Sequence, residues 1–317
     1  MGEIAVALAN WNGMKYLERC LESVFAQTCA PREVVIVDNG STDGSAEWIA
    51  DHYDQVHLLL NETNEGFAAG YNKAIAACSQ PFVLILNTDV FLAPDFIEVT
   101  LAALAEYPEA GAATGSVFQQ GTGEWLNSGF FLRPQMRTEH SANLDRAEAV
   151  FGCSGALILF RREMLEDIRI EGQYFDEAYF SYGEDIDLAW RAQLLGWQAR
   201  FTPGAKAHHV GSGSSDERLR FVDKPAFLQR HLLKNRYLTL VKNTSTGVLP
   251  YVLLPFILAE PLVWLYLLLR LPWRFPYLLL ALADTCRHLP TALRWRRQLM
   301  RRQRVSAAYI RQFLRRV

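Results

Sequence analysis

Four polar groups in this chain stand where a buried element ends, and each carries side chains that could do chemistry. Asn87-Thr88-Asp89 closes the apolar run Phe82–Leu86. A carboxylate at the exit of a core strand is costly to desolvate. It suits a hard divalent cation, Mg2+ or Mn2+, that bridges diphosphate oxygens, while an Asx turn is the plain structural reading of the same triplet. Asp38 opens Asp38-Asn39-Gly40-Ser41-Thr42-Asp43 directly after another strand. A carboxylate there can accept from the imide N–H of uracil or thymine; helix capping by Ser41, Thr42 or Asp43 explains the rest of the run but not an acid at the strand terminus. Glu184 and Asp185 begin a helix behind Tyr179, Phe180, Tyr182 and Gly183. Acids at a helix start, Asp187 among them, are favoured by the macrodipole, and a carboxylate beside aromatic walls can also serve as a general base toward a sugar hydroxyl. His208 and His209 precede Gly211-Ser212-Gly213-Ser214-Ser215, and an imidazole in such a loop can complete a metal site beside Asp89.

These groups act together only if the chain converges on them. IAVALAN (4–10), EVVIVD (33–38), VHLLLN (56–61) and FVLIL (82–86) predict buried strands. Between them lie helical faces: Leu17, Leu21, Val24 and Phe25, then Phe67, Tyr71, Ile75 and Cys78. Pro94 opens a further helix through Ile97, Leu101 and Leu104. Alternating strands and helices predict a parallel sheet that binds ligands beyond its carboxyl ends. Asn10-Trp11-Asn12, Asp38 to Asp43, Asn61 to Gly66 and Asn87 to Asp89 all fall on that edge, the pattern of a nucleotide site. Residues 111–150 read as irregular, with short antiparallel strands (SGFFLR) and a mobile loop over 134–147. Strand returns at 155–162, helix at 184–197 up to the stop at Gly196, and strand again from Gln198.

The chain divides at about residue 225 into a first domain (1–225) and a helical extension (226–317). Its net charge of -2 is uneven: after Glu260 there are twelve Arg, no Lys and one acid, Asp284, so that part carries +11 and the rest -13. Residues 248–269 are almost continuously apolar, yet contain Glu260, Pro255 and Pro261. A charge at mid-segment is expensive in hydrocarbon, which predicts a re-entrant or interfacial hairpin over the apolar block 248–283 rather than a span. The Arg-rich end interleaves Trp295, Leu299, Val305, Tyr309, Ile310, Phe313 and Leu314, the pattern of an in-plane amphipathic helix on an anionic membrane surface. The same segment could instead pack on its own apolar surface or on a second subunit as an oligomer. The apolar neighbour favours lipid over nucleic acid as the partner of this charge. Five scattered cysteines without C-x-x-C spacing predict reduced thiols and no zinc site.

The ordered set ALANWNGMKYLERCLESVFAQT, VVIVDNGSTDGS, NEGFAAGYNKAI, LILNTDVFL, FDEAYFSYGEDIDLAWRAQLLGW and AHHVGSGS resembles family 2 glycosyltransferases of the GT-A fold, in particular the bacterial rhamnosyltransferase-like branch. The resemblance covers residues 3 to 240. It implies a Rossmann-like, mostly parallel α/β sheet flanked by helices, and inverting transfer from a nucleoside diphospho-sugar, dTDP-rhamnose or a UDP-sugar, to a lipid-linked or oligosaccharide acceptor. Asp38 would read the base with Asn10 and Asn12 nearby, and Asn64, Gly66 and Asn72 would line the nucleotide. Asn87-Thr88-Asp89 stands at the family's D-x-D position, so Asp89 would bind the cation, with Asn87 replacing the first acid. Asp185 matches the catalytic base with Glu184 in support, and His209 fits the metal-ligand position better than His208. The resemblance further implies work at the cytoplasmic face of the bacterial inner membrane, as a peripheral or monotopic protein. Two other readings compete. A glycosyltransferase-like membrane scaffold without activity would explain Asn87, and a sugar-1-phosphate nucleotidyltransferase would need a basic glycine-rich loop that NWNGMKYLE lacks.

Overall fold

A computed structural model describes residues 3–127, 129–141, 145–211 and 221–314. The leading apolar runs become strands β1 (Ile4–Asn10), β2 (Glu33–Asp38), β3 (His57–Leu60) and β4 (Phe82–Leu86), separated by α1 (Met14–Phe25), α2 (Ser45–His52) and α3 (Gly66–Ala77). They pair in parallel in the order β4-β1-β2-β3, with Asn10 directly opposite Asp38. All four therefore end on one edge, and the polar clusters with them.

The second half of the sheet departs from parallel order. After β5 (Val90–Leu92) and α4 (Phe96–Glu106), β6 (Ala110–Gln119) is a full ten-residue strand where the sequence reads as irregular. Its small residues answer to a close neighbour: a Cβ at Gly115 would fall 2.1 Å from the Ala205 carbonyl oxygen. Next come β7 (Trp125–Asn127), β8 (Gly129–Leu132), β9 (Thr138–His140), β10 (Glu148–Val150), β11 (Gly152–Cys153) and β12 (Leu157–Arg161). α5 (Arg162–Ile168), α6 (Glu184–Leu194) and β13 (Gln198–His209) complete the unit. β12 inserts antiparallel between β4 and β6, and β13 runs parallel to β6 and antiparallel to β5. The sheet is parallel in its first half and mixed beyond it, with β8, β9 and β11 forming a small second sheet. Cys20, Cys78 and Cys153 are buried free thiols.

Four helices follow: α7 (Ala226–Asn243), α8 (Leu249–Arg270), α9 (Phe275–Arg302) and α10 (Ala307–Arg311). Arg230 pairs with Asp284 at 2.5 Å and Arg296 reaches the Val241 carbonyl at 2.9 Å, so α7 and α9 run side by side in one direction. The block 248–283 folds as two helices joined by a turn: α8 is one continuous helix that contains Pro255 and Pro261, the chain turns at 271–274, and α9 follows. Glu260 costs little there, because Arg236 pairs with it at 2.6 Å.

The Arg-rich end does not present an apolar face to a membrane. Trp295, Leu299, Ile310, Phe313 and Leu314 are buried in the same core as β8 and α6. The Phe313 carbonyl accepts from the Leu132 amide, and Arg304 donates its amide to Leu194. On the polar side Arg294 pairs with Glu171 at 2.6 Å and Arg304 with Asp167 at 2.7 Å. The amphipathic pattern is real, and its apolar partner is the first domain's own flank rather than lipid.

Candidate active site

The loop after β2 is tied to the end of β1 by side-chain amides. Asn10 donates to Asp38 Oδ2 at 2.7 Å and to the Ser45 hydroxyl at 2.8 Å, while Asp38 Oδ1 accepts from the Ser41 amide at 2.8 Å. Asn12, held at φ +52, accepts from the Thr42 amide at 2.8 Å. Asn10 is fully buried beside Asp38, where it shapes the loop, and its own Oδ1 has no hydrogen bond among the described residues.

Asn72 is corrected from its expected place along the nucleotide. Its Oδ1 accepts from the amides of Tyr174 (3.1 Å) and Phe175 (2.8 Å), and its Nδ2 donates to the Phe175 carbonyl (2.8 Å) and Glu177 (3.0 Å). Four bonds saturate an amide, leaving none for a nucleotide. Asn64 accepts from the Gly66 amide at 2.8 Å. Gly66 sits at φ +91 beneath Phe180, where a Cβ would approach the ring to 2.6 Å. Both residues brace α3 against the loop before α6.

The other strand ends meet across a shared space. β13 pairs His209 with Val90, which sets His209 Nε2 3.2 Å from Asp89 Oδ2. That Asp89 oxygen is buried without a hydrogen bond among the described residues. His208, one residue earlier in the strand, points away, is exposed and tilts against Phe118. Of the Gly/Ser loop that follows, Ser212 to Ser215 lie outside the described residues. Asn87 hydrogen-bonds through its amide to Ala156 at 3.0 Å, and the adjoining Gly155 amide donates to Asp185 Oδ2 at 3.1 Å. Asn87, Ser154, Gly155, Tyr182, Glu184, Asp185 and His209 thus line a single cavity of about 850 Å³. Asp38 lies along the same sheet edge, outside that lining.

Electrostatics separate the three acids of α6. Burial pushes the Asp185 carboxyl above the usual carboxylate range, restrained by the amides of Gly155 and Ile186. Glu184 is pushed well above it, by burial and then by the charge of Asp185. Asp187, expected as a cap, is fully buried; against its desolvation, Lys242 at 2.9 Å and Arg191 at 3.0 Å hold it below its ordinary value. It is a structural ion, and Lys242 also reaches Asp176 at 2.5 Å.

The loop that delivers Glu184 and Asp185 is strained: Phe180, Tyr182 and Gly183 have φ of +62, +70 and +88. Non-glycine residues in that region cost free energy unless the surroundings impose it. Asn235 of α7 imposes it, donating its amide to the carbonyls of Tyr179 (2.9 Å), Ser181 (3.0 Å) and Tyr182 (2.7 Å). Sequence reading missed this residue because it lies beyond the boundary drawn at 225. The polar stripe Asn235, Thr239, Lys242, Asn243 along an otherwise apolar helix was the available signal. Asn235→Ala should lower kcat by about tenfold or more through misplacement of the acid pair, with donor KM moving less than about twofold. Steady-state kinetics with a far-UV spectrum check this; an equal rise in KM would assign Asn235 to binding.

The comparisons with known proteins identify the family and the fold. The model of the family described as "Glycosyl transferase family 2" matches residues 5–169, just over half of the chain. The chain belongs to glycosyl transferase family 2 and is a glycosyltransferase. It is 29% identical over 242 residues to the N-acetylglucosaminyl-diphospho-decaprenol L-rhamnosyltransferase of Mycobacterium tuberculosis, covering 66% of this chain and 78% of that protein. It is 26% identical over 212 residues to the poly-beta-1,6-N-acetyl-D-glucosamine synthase of Staphylococcus epidermidis, covering 64% of this chain and 48% of that one. Among solved structures, S. aureus TarS 1-349 in complex with UDP superposes with a TM-score of 0.56 at 18% identity, covering 94% of this chain and 92% of that one. GalNAc-T7 with UDP, GalNAc and Mn2+ gives 0.60 at 17% identity, over 75% of this chain and about half of that one (47%). The two superpositions show a shared GT-A fold.

Proposed function

We propose that this enzyme transfers a sugar, rhamnose foremost, from a nucleoside diphospho-sugar to a hydroxyl of a lipid-linked glycan, with inversion, at the cytoplasmic face of the bacterial inner membrane. The observation that carries the reading is one cavity lined by Asn87, His209, Glu184 and Asp185. The Mycobacterium tuberculosis relative, named for rhamnosyl transfer to a diphospho-decaprenol carrier, supports the donor and acceptor classes.

Asp185 takes the proton of the acceptor hydroxyl; the oxygen forms its bond to the anomeric carbon as the bond from that carbon to the diphosphate breaks, releasing the nucleoside diphosphate. Such a base contributes on the order of 10²–10⁴ in rate. Glu184, favoured in its neutral form, supports Asp185 without competing for the proton. Asp38 reads the base from the far end of the sheet edge.

Asp89 and His209 would hold a divalent cation. The unsatisfied Asp89 oxygen facing an imidazole fits that group, since Mg2+ and Mn2+ accept few protein ligands and complete their shell with phosphates. When bound, the cation neutralises charge on the departing diphosphate. The purified full-length protein, offered a panel of nucleotide sugars with a lipid-linked acceptor, should release nucleoside diphosphate from dTDP-rhamnose or a UDP-sugar only with Mn2+ or Mg2+ present. Asp89→Asn should abolish the metal response. Release from no donor would favour a non-catalytic scaffold.

A further inference from the structure

The cavity that holds the acid pair continues beyond the sheet to α8. Val263, Tyr266 and Leu267 form its far wall. The outer side of the same helix leaves Leu258, Leu262 and Leu269 exposed at 66%, 67% and 71%, followed by Trp273 at 72%. So contiguous an apolar surface on a folded chain marks a lipid or partner contact. The same cavity is also lined by three cations, Arg137, Lys224 and Arg236. Arg236 is neutralised by Glu260. Lys224 reaches only the Tyr182 hydroxyl, at 3.2 Å, with its ammonium 4.7 Å from the centre of that ring, and meets no carboxylate among the described residues. The Arg137 guanidinium is exposed and has no partner among the described residues. One cavity thus offers a base, unpaired positive charge and hydrocarbon.

We propose that Arg137 and Lys224 bind the diphosphate of a polyprenyl-diphosphate-linked acceptor, whose isoprenoid chain leaves past Val263 and Leu267 onto the exposed face of α8. The lining supplies a partner for each part of such a molecule: Asp185 for the sugar hydroxyl, the cations for the anionic linker, and the helix for the chain. An oligosaccharide without the linker would leave both cations idle, and a diacyl lipid lies on the outer face without needing the cavity. The proposal rests on the glycosyl-transfer reading of the same cavity and extends it to the acceptor. The donor's diphosphate belongs at the opposite side, by Asp89 and His209, so the two anionic groups occupy separate places.

Farnesyl diphosphate in detergent, in metal-free buffer, is the probe. The full-length protein should bind it, and Arg137→Ala with Lys224→Ala should raise its Kd by about tenfold or more, the loss of a charge-assisted contact. Farnesol, which lacks the anion, should bind weakly and equally to both proteins. Saturating dTDP should leave farnesyl diphosphate binding intact, because the nucleotide sits at the other end. Displacement by dTDP would assign the cations to the donor and overturn the proposal, as would equal losses for farnesol. Neither result depends on turnover, so a failed donor panel and a failed acceptor site are read separately.

Discussion

Asp185→Asn should reduce kcat by roughly 10²–10⁴-fold, while the Kd for the nucleoside diphosphate stays within about twofold of the parent. The amide keeps the shape, and its one oxygen can accept from either the Gly155 amide (3.1 Å to Oδ2) or the Ile186 amide (2.8 Å to Oδ1), so the variant loses proton acceptance together with one backbone hydrogen bond. Glu184→Gln is the contrasting variant. Burial and the Asp185 charge favour the protonated Glu184, and glutamine reproduces a neutral side chain, so kcat should remain within about threefold. The pH dependence follows from the same directions. Asp185 must be ionised to act, and its carboxyl is raised, so activity is lost as pH falls through a value above the ordinary ~4 of an aspartate. For stability the sign is opposite. A buried acid with a raised folded pKa weakens the fold as pH climbs past its unfolded value of about 4.3. Glu184→Gln should therefore melt above the parent at alkaline pH and match it at acid pH. Full turnover by Asp185→Asn would remove it from the base role, and a Glu184→Gln enzyme as dead as Asp185→Asn would show that an ionised pair is required.

Deleting residues 303–317 should collapse the fold rather than free it from membranes. Ile310, Phe313 and Leu314 are 0%, 5% and 8% exposed and fill a cleft beside Phe131 and Phe151. Each such side chain contributes about 1.5–3 kcal/mol, an upper estimate when summed. Together that approaches the about 5–15 kcal/mol that hold a whole domain. The exposed Arg304–Asp167 pair, lost with the segment, adds little beside it. The truncated chain should be recovered aggregated, or with no cooperative thermal transition. A soluble, cooperatively melting truncation that had merely lost affinity for anionic vesicles would restore the membrane reading of this segment.

Local pattern made some of this legible and long-range pairing hid the rest. β1, β2 and β4 are unbroken apolar runs between helical faces, and their polar ends announce a ligand-facing edge. α6 is equally plain, with acids at its start and Gly196 at its stop. The doublet His208-His209 left the register open; it is settled by the β13–β5 pairing, which alternation alone does not specify. β6 was invisible because a strand of small residues, shaped by the nearby Ala205 carbonyl, carries no period-two signature. Asn72 misled because its saturation depends on a turn about a hundred residues away. The terminal segment misled for a related reason. Amphipathic spacing says that a face is buried and leaves open against what.

Three consecutive residues of α7 point to different clients. Asn235 holds the strained loop, whereas Arg236 and Tyr237 both bind Glu260 of α8. Sequence logic would treat the apolar helix as a cassette to be exchanged among related enzymes. A chimera joined anywhere between residues 236 and 260 strands a cation and a phenol whose acid has gone, one step along the backbone from the amide that shapes the acid pair. Recombination of such enzymes is safest with α7, α8 and α9 inherited as one block.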